Sequence, residues 1–196
     1  MKTIVSILVI GALLVGMTSS TKVFYPIAKK KSFTSGEMLR YRVSYGIIDA
    51  GEAVLTVNET KRKGANGRPL YHVKGTGRTL GAFNWFFKVD DVYESYIDKQ
   101  GVFPWYFIRD INEGGYTKYQ AYQFQQDKQK VVADGKEFKV PLAVSDMFSA
   151  FYYARTLDFD KMKPGDVTEF RVFMDEEIWP LKIRYVGKET IKIRKG

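Results

Sequence analysis

A chain of 196 residues is long enough for one domain with one sizeable core and short for two. It contains no cysteine, which excludes disulfides, thiolate nucleophiles, iron–sulfur clusters, cysteine-ligated zinc and a lipid on an N-terminal cysteine. The formal charge of +9, without a dense basic run, favours an anionic membrane surface or an acidic envelope partner over nucleic acid.

The first twenty residues have the layout of a secretory signal peptide: Lys2 gives a basic start, Ile4 to Val15 are almost unbroken apolar, and Thr18, Ser19 and Ser20 are small. The apolar run falls short of the roughly 20 residues that a membrane-spanning helix needs, and no later segment approaches that length. Cleavage is expected after Ser20, with the protein periplasmic or secreted and no integral membrane segment left after cleavage. Removing residues 1–20 leaves 30 Lys and Arg against 22 Asp and Glu, or +8. Residues 21–32, with Pro26 and Lys29 to Lys31, read as a flexible lead-in, and residues 33–196 as a single β-rich domain.

From Phe33 the pattern has period two. Leu39, Tyr41, Val43 and Tyr45 alternate with Arg40, Arg42 and Ser44, as in a half-buried antiparallel strand. Gly46 and Gly51 bracket a tight connection over residues 47–50, after which Ala53, Leu55 and Val57 resume the alternation. Asn66-Gly67 is a hairpin signal, because both central positions of the favoured turn want positive φ. It separates the strand ending near Thr60 from Leu70 to Lys74. Further strands are predicted over 86–97, 105–111, 116–124, 130–133, 138–140, 167–174, 181–186 and 190–194, and an 11-residue stretch from Asp146 to Thr156 breaks the rule. There, Met147, Phe148, Phe151, Tyr152 and Arg155 follow three-and-four spacing behind a Ser145 or Asp146 cap. The fold predicted is mainly β: an antiparallel curved sheet or half-barrel of about ten strands with one covering α-helix. Tyr41, Val43, Leu55, Phe107, Phe151 and Phe170 are the expected core. An outer-membrane barrel is disfavoured because Lys118 and Gln120 share the more aromatic face of their strand.

Few residues suggest chemistry. The lone histidine, His72, reads as a partly exposed strand residue and offers neither a triad nor a metal cluster. Asp90, Asp91, Glu94, Asp110 and Glu113 gather around Arg109; paired carboxylates can hydrolyse glycosides, but cross-strand ion pairing is the simpler account. Gly75-Thr76-Gly77 lacks the ending of a phosphate-binding loop. No catalytic residue, metal ligand or cofactor is assigned.

The stretch Phe33-Thr34-Ser35-Gly36-Glu37-Met38-Leu39-Arg40-Tyr41, continuing through Val43-Ser44-Tyr45-Gly46 and Ile48-Asp49-Ala50-Gly51-Glu52-Ala53, resembles the opening of the bacterial envelope family catalogued as DUF3108, frequent in Bacteroidetes. Asp91-Val92-Tyr93-Glu94-Ser95, Glu113-Gly114-Gly115-Tyr116, the helix region from Ser145 to Arg155, and Gly187-Lys188-Glu189 are also similar to it. The resemblance implies a periplasmic or secreted β-rich protein without an assigned reaction. It also implies several further strands after the Gly-Lys-Glu turn, so the domain reads as truncated at its C-terminus.

Three functions compete at this stage. One is a non-catalytic envelope protein that binds a hydrophobic ligand such as lipid or an acyl chain, with Phe148, Phe151, Tyr152, Arg155, Tyr93 and Arg109 as candidate ligand-binding residues. The others are a structural or protein-interaction module of the cell envelope and a carbohydrate-active hydrolase.

Overall fold

The computed structural model describes residues 23–46 and 48–191. The expectations for the signal peptide and for a strand beyond Ile191 lie outside these residues; Thr190 and Ile191 themselves are not in a strand.

Period-two alternation becomes an eight-stranded antiparallel meander. Its strands are β1 (Met38–Tyr45), β2 (Ile48–Lys63), β3 (Pro69–Thr79), β4 (Asp90–Asp98), β5 (Pro104–Glu113), β6 (Tyr116–Gln125), β7 (Lys130–Ala133) and β8 (Lys136–Lys139). Each pairs with the next in chain order, so β1 and β8 are edges and the sheet is not closed. A hairpin of β9 (Val167–Met174) and β10 (Glu177–Arg184) forms a second, two-stranded sheet. A single helical turn, α1 (Phe83–Phe86), sits in the β3–β4 connection, and α2 (Met147–Ala154) lies between β8 and β9. Ten antiparallel strands and one covering helix agree with the sequence reading.

Local chemistry sets these boundaries. Asn66 and Gly67 adopt φ of 55° and 73°, as that dipeptide favours, but within a longer loop in which Lys63 pairs with Pro69. The connection expected over residues 47–50 is mostly strand: β2 starts at Ile48, and the register shift between Val43 and Ser44 leaves Ala50 unpaired as a bulge. Helix α2 is shorter than predicted because Asp146 is its cap. The Asp146 carboxylate accepts from the Ser149 N–H at 2.6 Å, and the Ser149 hydroxyl accepts from the Asp146 N–H at 2.8 Å.

The core lies between the concave side of the sheet and a layer made of α2 and β9. Phe107, Tyr122, Phe124 and Val131 pack with Phe173, and Val57, Val73 and Ile97 with Phe148 and Tyr152. A parallel bridge between Ser145 and Val172 joins the start of α2 to β9. Leu70, Phe103 and Trp105 form a third cluster at one end of the sheet, where Tyr25 stacks on Phe103 with centroids 5.3 Å apart.

Phe107 and Phe170 are buried as expected. Tyr41 and Val43 are not: they are 45% and 58% exposed, and Phe151 is 39% exposed. Alternation assigned the first two to the correct side of the sheet, but they stand on an edge strand that α2 leaves uncovered. Phe86 also departs from the reading, since it ends α1 and β4 begins at Asp90.

Candidate functional site

The strand register lays the concave face out in rows. Leu55, Gly75, Tyr93, Arg109 and Gln120 form one row across β2 to β6. Tyr41, Ala53, Gly77 and Asp91 form the next, and Val43, Gly51 and Thr79 the row after that. Phe148 of α2 descends on the first row. A Cβ added to Gly75 would lie 2.3 Å from the tip of the Phe148 ring, so the missing side chain is what lets the helix approach. The same ring meets Tyr93 edge-on at 6.1 Å.

One row further the helix no longer covers the sheet. A Cβ added to Gly77 would meet nothing within 4 Å. The result is an open strip, floored by the small residues Gly51, Ala53 and Gly77, with Tyr41 and Val43 exposed on its β1 side and Asp91 on its β4 side. Phe148, Phe151 and Arg155 follow one another along α2 at three- and four-residue spacing and so share a flank. Arg155 shows where that flank points. Its two terminal nitrogens donate to the Glu37 carboxylate, just before β1, at 2.6 and 2.8 Å, and one also donates to the Ser32 carbonyl at 3.1 Å. Glu37 is bonded to Val57, on the far side of the Gly75 row from Gly77, so α2 leads away from the open strip and Phe151 packs between Tyr152 and Arg155.

Tyr152 is fully buried beside this flank, and its hydroxyl has no hydrogen-bond partner within 3.5 Å. Burial, reinforced by the nearby Glu37 carboxylate, pushes its pKa up to about 12, while the close Arg155 guanidinium opposes the shift. The phenol stays neutral.

The sequence-predicted site residues therefore divide. Phe148, Phe151, Tyr152 and Arg155 lie along α2, and Tyr93 meets them through Phe148. Arg109 belongs elsewhere: its Nε donates to the Gln120 side chain at 2.5 Å, and Nη2 pairs with Asp175 in the β9–β10 turn. Lys118 adds a second cation on Asp175 at 2.8 Å. Arg109 thus ties the hairpin to the sheet. Residues missed by the sequence reading are the floor and the Glu37 clasp. A signal for the floor was present, because Gly51 and Ala53 on β2 and Gly75 and Gly77 on β3 repeat at spacing two.

The acidic residues fall on two faces. Asp91 is buried on the concave side, where its carboxylate accepts from the Asn112 N–H at 2.9 Å. It also raises the pKa of Glu113, chiefly through a hydrogen bond between the two side chains. Carboxyls in direct contact differ from glycoside hydrolase pairs, which stand roughly 5 Å or more apart. Glu94 is on the convex side, 2.7 Å from His72 Nε2, and the His72 ring stacks on Tyr96 at 4.6 Å. Beside them Arg62 lies 3.6 Å from the centre of the Tyr106 ring. Among the described residues no three His, Cys, Asp or Glu side chains are grouped to hold a metal, and no helix is long and apolar enough to cross a membrane.

The sequence profile of one family, described as Protein of unknown function (DUF3108), matches residues 40–196. No curated protein and no solved structure matches the chain.

Proposed function

We propose, starting from the fact that this chain belongs to the DUF3108 family, that it is a non-catalytic binder of an apolar chain such as the acyl group of a lipid. The carrying observation is the open space over Gly77, beside the exposed Tyr41 and Val43. Exposed apolar surface in a concave setting is the usual form of a ligand groove. The basic charge and the signal-like leader suit a protein that meets anionic lipid outside the cytoplasm.

Titration with a fluorescent fatty acid tests this reading. The protein should bind it saturably, and Gly77→Leu should abolish binding by filling the strip. Gly77 is not among the glycines held at positive φ and has room for a side chain, so the variant should fold normally. No saturable binding, or unchanged binding by the variant, would remove the proposal. A protein-interaction module then moves ahead, because β1 is an edge strand carrying exposed Met38, Tyr41 and Val43.

A further inference from the structure

The largest exposed aromatic side chains do not lie in the strip. Ranked by fractional exposure among the described residues, the leading aromatics are Trp85 and Phe86, 91% and 86% exposed, on the single turn α1 in the β3–β4 loop, followed by half-exposed Phe87. Such exposure costs solubility, and contiguous patches of this kind mark interaction surfaces. The loop is also firmly held. Phe87 N–H donates to the Phe83 carbonyl at 2.9 Å, and Gly114 N–H, in the neighbouring β5–β6 turn, donates to the Lys88 carbonyl at 2.7 Å. Thr79 Oγ1 donates to Asn84 Oδ1 at 3.1 Å and accepts from the Val89 N–H at 3.0 Å. A Cβ on Gly114 would lie 2.4 Å from the Phe87 ring, so that ring is seated on the turn while Trp85 and Phe86 stand outward.

We propose that this loop is an interfacial anchor that docks the protein on an anionic bilayer. Successive side chains on a helical turn point about 100° apart, so Trp85 and Phe86 present no flat face to a protein partner. A bilayer interface surrounds a protruding tip from all sides, and aromatic rings favour the headgroup level. Charge selects the lipid. Lys88 is the only ionisable residue from Leu80 to Val89, and it is a cation. Behind the loop, Arg40, Arg42 and Arg78 converge on the single Glu52 carboxylate at 3.3, 3.4 and 2.9 Å. Asp49, beside Arg42, Asp90 and Asp91, opposite Arg78 and Gly77, and Glu113, opposite Val89, balance these arginines at the base of the loop, so the charge that favours anionic lipid is that of Lys88 at the tip. The whole chain carries +9. The loop adjoins the end of the open strip, since Thr79 pairs with Gly51. Docking nonetheless stands independently of any ligand in that strip.

Co-sedimentation with phosphatidylcholine vesicles, with and without phosphatidylglycerol, tests the anchor. The protein should bind the anionic vesicles, and Trp85→Ala with Phe86→Ala should weaken partitioning by roughly tenfold or more, because binding scales with buried apolar area. Lys88→Glu should cost at least roughly fivefold on anionic vesicles and little on neutral ones. Both variants should keep the wild-type circular dichroism and fatty-acid titration, which separates this proposal from the preceding one. Absence of vesicle binding, or equal binding by the double variant, would overturn the anchor. A wild-type dimer that the double variant dissolves, without vesicle binding, would reassign the loop to self-association. Equal losses on both vesicle types with Lys88→Glu would overturn the choice of anionic lipid.

Discussion

Replacing Asp146 with Asn should flatten the pH dependence of stability between about pH 4 and pH 7. The carboxyl is fully buried under the start of α2. One oxygen accepts from the Ser149 N–H at 2.6 Å and the other from the Ser95 hydroxyl at 2.5 Å. Burial outweighs these bonds and raises its pKa from 3.8 to about 6. The folded protein therefore holds this proton more tightly than the unfolded chain does. The stabilisation is fully present below the unfolded pKa of 3.8 and is lost as the pH rises through about 6. A shift of about two units, at 1.36 kcal/mol each, makes the loss roughly 3 kcal/mol. Asn at this position still caps the helix and cannot ionise. Urea denaturation of both proteins across this range cancels every other titrating group. The difference between variant and wild type should move by roughly 3 kcal/mol in favour of the variant as the pH rises. Parallel curves would show that the buried carboxyl does not take up its proton in this range, and the reasoning would fail.

The same denaturation assay checks three further expectations. Phe107→Ala, in the core at 2% exposure, should cost about 3 to 5 kcal/mol, whereas Phe151→Ala, at 39% exposure, should cost about 1 kcal/mol; equal losses would return Phe151 to the core. Gly75→Val should destabilise by about 1 to 3 kcal/mol through its clash with Phe148, while Gly77→Val should be near neutral, and the reverse order would contradict the placement of α2. Glu37→Gln and Arg155→Met should couple in a double-mutant cycle by about 1 kcal/mol, since the pair is bidentate and only partly screened; strict additivity would reduce the clasp to an incidental contact.

The parts of this fold that were legible are the parts settled within a few residues. Alternation revealed β5 and β6, the Asn66-Gly67 dipeptide marked its turn, and an aspartate ahead of three-and-four spacing marked α2. Tyr41 and Val43 show where that logic ends. Alternation gives the side of the sheet a residue occupies, but what covers that side depends on a helix over one hundred positions away, seated by the absent side chain of Gly75. The β3–β4 loop misled for another reason: Phe86 and Phe87 have high strand propensity, yet the Phe87 N–H closes a helical turn on the Phe83 carbonyl. The Arg109 to Asp175 pair spans 66 positions, and nothing in local spacing announces it.

The strict chain-order meander has a consequence for how the molecule assembles. Each of its eight strands pairs with its neighbour in the chain, through short connections except for the β3–β4 loop, so little loop entropy opposes growth of the sheet. The contacts that secure the covering layer are of another kind. Arg155 reaches Glu37 across 118 positions, and Lys30 reaches Asp158 across 128. The sheet can therefore form progressively along the chain, whereas the clasp of α2 to the segment before the first strand closes only after the whole meander has been laid down. The lead-in residues act as a latch, and a cut between them and β1 would leave the meander's own pairing intact and remove one tie from a layer that Phe148, Ser95 with Asp146, and Arg109 with Asp175 still hold to the sheet.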